Sequence, residues 1–312
     1  MYTRKLIALV GPTAVGKTAV AVALADVLRA QGELPVAVSA DALQVYRGLE
    51  LLTGVASPEQ QARLEHRLIS FLPPDATFSA GQYAELAHNE IDTLLQEGRL
   101  PIVVGGTGLY LRAALADLSF RPPPDPAVRE GLLAELARLG PEVLHARLVR
   151  VAPGAASQIA VTDSHRVVRA LELHRCGELA SPQTTSELWT EATRHPTLLI
   201  GLVADRERLY ASVNARVDAM LAAGVEHEVR AANATGVSAT ARQALGFEEL
   251  LAGDVEAMKR RTRNYVRRQL TWMRKLPGMI AVDVGGRTSV QVAAQIAALW
   301  VNDERDHLAS SR

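Results

Sequence analysis

Residues Gly11 to Thr18 read Gly-Pro-Thr-Ala-Val-Gly-Lys-Thr, set between the apolar run KLIALV from Lys5 and a helical pattern from Ala19 to Arg29. The spacing G-x-x-x-x-G-K-[ST] constrains the fold more than any other feature, because it needs a strand to deliver the loop and a helix N-terminus to finish it. In that setting the loop N–H groups converge on phosphate oxygens and the helix dipole adds to their pull. The expected diphosphate-binding residues are Gly11, Pro12, Thr13, Ala14, Val15, Gly16, Lys17 and Thr18. Lys17 is expected to reach a terminal phosphate, and the Thr18 hydroxyl to sit on Mg²⁺. Nucleotides and isoprenoid diphosphates both present a diphosphate, and the loop does not distinguish them.

The runs VAVSA from Val36, LISFL from Leu68 and PIVVGG from Pro101 are further short strand candidates separated by helical patterns. Such alternation predicts an α/β fold, a P-loop parallel sheet core with helices on both faces. After Leu118 the style changes: SFRPPPDP is a proline-rich connector, and Ala127 to Leu173 reads as several helices without a strand. Strand character returns at Leu198 to Val203. The expected organisation is therefore the first part of the core at 1–118, a helical insertion domain at 119–196 and the rest of the core with C-terminal helices at 197–300. A polar tail at 301–312 is expected to fray. The long helical stretch Arg206 to Lys275 should break near Gly224, Gly236 and Gly253, and MIAVDV should add a last strand.

At 312 residues with 48% apolar composition, the chain can bury a full core without help. Cys176 is the only cysteine, which excludes a disulfide framework or a cysteine-rich zinc site and suits the reducing cytosol. The histidines His145, His165, His174 and His195 follow no ligand spacing. No stretch approaches the roughly 20 apolar residues of a membrane span, so a cytoplasmic protein is expected. The formal net charge is zero, yet between Lys259 and Lys275 every charged residue is basic, with Tyr265 and Trp272 among them. Arg261, Tyr265, Arg268 and Trp272 recur three or four residues apart and share one helix face. Cations there suit phosphates, and the rings could stack on bases or pack inward.

Two other strand ends carry chemistry-bearing residues. Ser39-Ala40-Asp41 closes the second strand, and in a doubly wound sheet the carboxyl ends of strands line the ligand crevice. Asp41 there could accept a proton from a nucleophile or bind Mg²⁺ through water; as an ordinary turn residue it could instead cap a helix. Gly105-Gly106-Thr107-Gly108 follows the next strand. Its glycines let the backbone approach a ligand closely, and Thr107 offers a hydroxyl. No acid ends this strand, which weakens an ATPase reading.

Taken in order, GPTAVGKT, SADALQVYRGL, GGTGLYLRA, TDSHRVVRALE, RVDAML, RQALGFEEL and TRNYVRRQLTWMRK resemble the tRNA dimethylallyltransferases, also called tRNA isopentenyltransferases, of bacterial type. The resemblance implies Mg²⁺-dependent transfer of the five-carbon group of dimethylallyl diphosphate to N6 of the adenine 3′-adjacent to the anticodon, with release of diphosphate. It implies Asp41 as general base, Thr107 at the target nucleotide and Arg216 on the leaving diphosphate. Contacts with the tRNA anticodon stem-loop are implied for Asp41, Ala42, Leu43, Gln44, Thr107, Arg129, His165, Arg166, Val167, Val168, Arg169, Gln243, Arg267, Arg268 and Trp272. A monomer is expected for a protein that grips one RNA loop. The sequence departs from the family where Ala42 replaces a common Ser and where LELLTGVAS puts Val55 in place of a familiar Lys.

An exocyclic adenine amine has a delocalised lone pair, so a carboxylate on N6–H helps as the new bond forms, and reaching it implies a base flipped out of the loop stack. Three alternatives share some of these residues. An adenylate isopentenyltransferase needs the loop and Asp41 but neither the insertion nor the basic helix. A P-loop small-molecule kinase suits Asp41 equally. A non-catalytic RNA-binding protein has no use for Lys17, Thr18, Asp41, Thr107 and Arg216 together.

Overall fold

A computed structural model describes residues 5–121, 125–179 and 187–309, without side chains at 187 and 302–309. Among the described residues one sheet forms, with strands β1 (Leu6–Val10), β2 (Pro35–Ala40), β3 (His66–Arg67), β4 (Leu100–Gly105), β5 (Thr197–Val203) and β6 (Ile280–Asp283). Their order is β3-β2-β4-β1-β5-β6 and every pairing is parallel. The parallel arrangement requires both faces to be covered, and the sequence supplies for this near-continuous apolar strands rather than alternating ones. All five residues of β1 are buried.

The residues of β1 divide between two cores. Ile7 and Leu9 face a cluster with the Lys17–Ala30, Arg206–Ala222 and Ser289–Ala309 helices, through Leu24, Leu28, Leu209, Val213, Ile296 and Trp300. Leu6, Ala8 and Val10 face the other side, where Tyr83, Ile91 and Leu94 of the Ala80–Gln96 helix and Tyr110 and Leu111 of the Gly108–Leu115 helix pack. Removing each such aliphatic side chain from water contributes about 1.5–3 kcal/mol. A third cluster joins Val45, Tyr46, Leu49 and Leu52 to Val217, Val229, Phe247 and Met258, so the chain just beyond Asp41 is anchored on the C-terminal helices.

Pairing sets the level at which the strands end. Val10 and Ala40 both lie opposite Gly105, and Val10 also opposes Gly201. Gly11, Asp41 and Gly106 are therefore the next residues beyond one register row on three adjacent strands. The row is tight at its centre: a Cβ on Gly105 would come within 2.5 Å of the Ala40 carbonyl oxygen.

Two compact units result: Met1–Leu118 with Leu188–Arg312, and Ser119–Glu187. In the second, the Pro126–Leu139, Pro141–Val151 and Ser164–Arg175 helices enclose Leu132, Leu144, Leu148, Val167, Val168 and Leu171. Residues 122–124 of the proline-rich connector lie outside the described residues. The expected boundary at 196 moves to Glu187, because the following segment is held by the sheet unit. There Arg194 bonds to Asp92 at 2.7 Å, His195 to the same carboxylate at 2.6 Å, and Arg112 to Thr190 and the Ala192 carbonyl.

Two other expectations change. LISFL is not a strand: Leu68 and Ser70 have positive φ (59° and 45°), so the chain turns and only His66–Arg67 pair with β2. The polar tail is helical in backbone through Ala309, continuing the helix that buries Trp300. The breaks near Gly224, Gly236 and Gly253 occur, and Ile280–Asp283 forms the last strand.

Wholly buried Tyr83 donates its hydroxyl to the Ser39 carbonyl at 2.9 Å, two residues before Asp41. Tyr83→Phe should lower unfolding free energy by about 1–2 kcal/mol, since one buried carbonyl loses its partner; urea titration with an unchanged m-value checks it.

Candidate functional site at the carboxyl edge of the sheet

The phosphate loop leaves β1 and enters the Lys17–Ala30 helix through left-handed backbone at Ala14 (φ 66°) and Gly16 (φ 96°). Glycine adopts this region freely, whereas Ala14 is held there at a cost of roughly 1–2 kcal/mol, a strain that persists where surrounding structure over-determines a site. The Lys17 ammonium folds back onto the Gly11 and Pro12 carbonyls at 2.9 and 3.0 Å. Burial, then the charge of Arg216, lowers its pKa to about 8, while Asp41 acts in the opposite sense. A polyanion bound in the loop would reverse that effect by favouring the charged form.

Asp41 follows β2. One of its oxygens accepts the Leu43 N–H at 2.9 Å, and the other has no hydrogen-bond partner among the described residues. Arg216, from the Arg206–Ala222 helix, is brought to the same centre, where burial lowers its pKa and Asp41 raises it. Its guanidinium donates to the Thr53 carbonyl at 3.4 Å and lies where a Cβ on Gly54 would fall. Gln44 secures that turn from below: its amide accepts the Ser39 hydroxyl at 2.9 Å and donates to the Gly54 carbonyl at 3.1 Å. Ala42 and Leu43 pack partly into the two neighbouring cores.

The turn after β4 meets the Val255–Met273 helix. Asp254 caps this helix through the Ala257 N–H, and Met258, Thr262, Val266, Gln269 and Met273 form its buried stripe. Thr107 Oγ1 lies 3.2 Å from the Tyr265 hydroxyl. Burial and then the nearby Asp41 charge raise the Tyr265 pKa, so it stays a neutral phenol. A Cβ on Gly108 would come within 2.8 Å of the Trp272 indole, so that ring packs inward against the turn. Gln269 spans two loops, accepting the Thr13 N–H at 2.8 Å and donating to the Gly106 carbonyl at 2.7 Å.

The basic run on this helix divides into two groups. Lys259 pairs with Asp218 at 2.7 Å, Arg261 with Glu249 at 2.7 Å, and Arg263 bonds to Asn214. Arg267 and Arg268 remain exposed, the first bonded to Asn264 and the second over the Tyr265 ring at 5.5 Å. Gln243 is exposed on the short Ala241–Gln243 turn.

In the Ser119–Glu187 unit, His165 and Arg166 are exposed at the start of the Ser164–Arg175 helix. Val167 and Val168 are 0% and 1% exposed in that unit's core. Their side chains therefore cannot supply the RNA contacts expected of them. Arg129 and Arg169 both bond to buried Glu172, at 2.9 and 3.2 Å. This shared carboxylate gives both arginines an internal partner, which the residue pattern did not reveal.

Known proteins resemble this chain along most of its length. A family model described as IPP transferase matches residues 44–276. The tRNA dimethylallyltransferase of Symbiobacterium thermophilum is 39% identical over 96% of this chain and 97% of its own. The chain belongs to the tRNA dimethylallyltransferase family. Its relative in Thermobifida fusca is 41% identical over 87% of this chain and 88% of that protein. A solved structure of the tRNA isopentenylpyrophosphate transferase from Bacillus halodurans superposes with a TM-score of 0.68 at 30% identity, covering 97% of this chain and 99% of that one. A eukaryotic dimethylallyltransferase acting on tRNA, 23% identical, shares the fold with a TM-score of 0.74 over 96% of this chain and 80% of its own.

For this member of the tRNA dimethylallyltransferase family, Gln269 is the site residue that motif reading missed. The available signal was an amide standing at an apolar position of an amphipathic helix. Exposed Arg268 generates a separate test: Arg268→Ala should weaken tRNA binding severalfold and reduce the salt slope by about one, with little change in turnover at saturation. Filter binding across a salt series reads the slope, and an unchanged slope places Arg268 away from the RNA.

Proposed function

We propose that this chain transfers the dimethylallyl group of dimethylallyl diphosphate to N6 of the adenine 3′-adjacent to the anticodon of tRNA. The observation that carries this reading is the convergence of a phosphate loop, a half-free carboxylate and a partly buried guanidinium at one sheet edge. Lys17 and Arg216 carry opposite charge to Asp41 and lie within its electrostatic reach. That combination suits separation of a diphosphate from an allylic carbon next to a base.

In the reaction the allylic C–O bond breaks, the N6–C bond forms, and diphosphate leaves with the bonding pair. The loop N–H groups, Lys17 and Arg216 stabilise the negative charge that grows on the departing diphosphate, and the half-buried setting strengthens each interaction relative to water. The unpartnered oxygen of Asp41 accepts the proton released from N6, while its other oxygen, fixed by the Leu43 N–H, holds the carboxylate in orientation. Thr107, steadied by the Tyr265 hydroxyl, offers a hydroxyl to the flipped adenine.

Thr18 and, through water, Asp41 are oxygen donors suited to Mg²⁺, which coordinates few protein groups and keeps phosphate oxygens and waters as its other ligands. When bound, the ion supplies further neutralisation of diphosphate charge. Among the described residues no cluster of three or more His, Cys, Asp or Glu side chains could hold a metal ion. No helix of the described residues is long and apolar enough to cross a membrane. Exposed His165, Arg166, Arg267, Arg268 and Gln243 are the side chains we assign to tRNA contact, acting in a monomer.

The test is incubation with Mg²⁺, unmodified tRNA or AMP, and radiolabelled dimethylallyl diphosphate, followed by nuclease mapping. Label at the adenine after the anticodon supports the reading; label only in AMP moves the activity to free nucleotides, and label in neither overturns transfer altogether. Asp41→Ala should lower turnover by about 10²–10⁴-fold while tRNA affinity stays within about threefold, because a base acts mainly in the transition state. Comparable losses in affinity and turnover would reject that role.

A further inference from the structure

Gln269 is 2% exposed and stands on a stripe otherwise made of Met258, Thr262, Val266 and Met273. Burying an amide there is unfavourable unless its polar ends are bonded, and both are. Its carbonyl oxygen accepts the N–H of Thr13, in the phosphate loop after β1. Its NH₂ donates to the carbonyl of Gly106, in the turn after β4 that carries Thr107. A primary amide presents an acceptor and a donor side by side, so one side chain can join an N–H of one loop to a C=O of another. A hydrophobic residue at this position would fill the space and join neither.

The surrounding geometry is built for this contact. A Cβ on Gly106 would lie 2.6 Å from the Gln269 Nε2 and 3.1 Å from the Gly11 carbonyl oxygen, so the glycine leaves room for the amide. One helical turn to either side, Tyr265 meets Thr107 and Trp272 covers Gly108. The bond to Thr13 also engages an N–H of the phosphate loop, which fixes that loop from the protein side rather than from the ligand side.

We propose that Gln269 is a positioning residue that holds the diphosphate loop and the Thr107 turn at a fixed separation, and so aligns the allylic carbon with the nucleophilic nitrogen. This rests on the transferase function proposed above. At 2% exposure the residue is covered by protein, with both polar ends spent on the two loops. Its effect is on alignment, where a displacement of about 1 Å can cost on the order of a hundredfold in rate.

The test combines Gln269→Met, which keeps length but bonds neither loop, with Gln269→Glu, which keeps an acceptor for the Thr13 N–H but loses the donor to the Gly106 carbonyl. For each, kcat should fall about 10- to 100-fold while KM for dimethylallyl diphosphate and for tRNA changes less than about threefold. Hydrogen exchange should accelerate in Gln269→Met at 11–18 and at 105–108 together, with the Val255–Met273 helix unchanged. A loss confined to KM, or accelerated exchange in only one loop, would overturn the proposal. If the unmodified protein transfers no label to tRNA, the functional reading fails by itself; the exchange pattern still decides whether Gln269 ties the loops.

Discussion

A loop can aim its backbone amides at a diphosphate only if the strand before it and the helix after it are both immobile. In this protein that requirement is met by burying β1 on both faces and by ending it level with β2 and β4. Level strand ends place Gly11, Asp41 and Gly106 side by side without any of the three loops having to reach. The strained Ala14 and the tightly packed Gly105 are consequences of the same geometry, tolerated because the sheet leaves the backbone no alternative.

Parallel strands from distant parts of the chain meet at this edge, and their loops would be independent but for the C-terminal helices. The Val255–Met273 helix contributes Tyr265, Gln269 and Trp272 to the β1 and β4 loops, and the Arg206–Ala222 helix contributes Arg216 beside Asp41. The third core then holds the segment after Asp41 against these helices. The same side chains thus give the site its order and its charge. The remaining cations follow a similar division: Lys259, Arg261 and Arg263 fasten the helix to its neighbours, and Arg267 and Arg268 stay at the surface.

Motif spacing made the phosphate loop, Asp41 and Thr107 legible, because each depends on a strand end and the identity of one or two following residues. It was less informative for pairings across long separations. Arg129 and Arg169 are expected as RNA contacts, yet both bond to buried Glu172, and Val167 and Val168 lie inside a motif whose exposed members are His165 and Arg166. LISFL had strand composition, but positive φ at Leu68 and Ser70 turns the chain away from the sheet after His66–Arg67. Residues 188–196 had no distinctive composition, and it was Arg194 and His195 bonding to Asp92 that assigned them to the sheet unit.

Local pattern and short-range spacing sufficed for the class of fold, the phosphate loop and the family, but not for the third strand, where composition pointed to LISFL and pairing falls on His66–Arg67. The tertiary structure alone decided which charges remain available and which side chains join the substrate loops. Those outcomes depend on partners up to 256 positions apart, as Thr13 and Gln269 are, brought together by packing of the whole core. A hydrogen bond formed across such a separation leaves no periodicity in the chain, so only the folded arrangement reveals it.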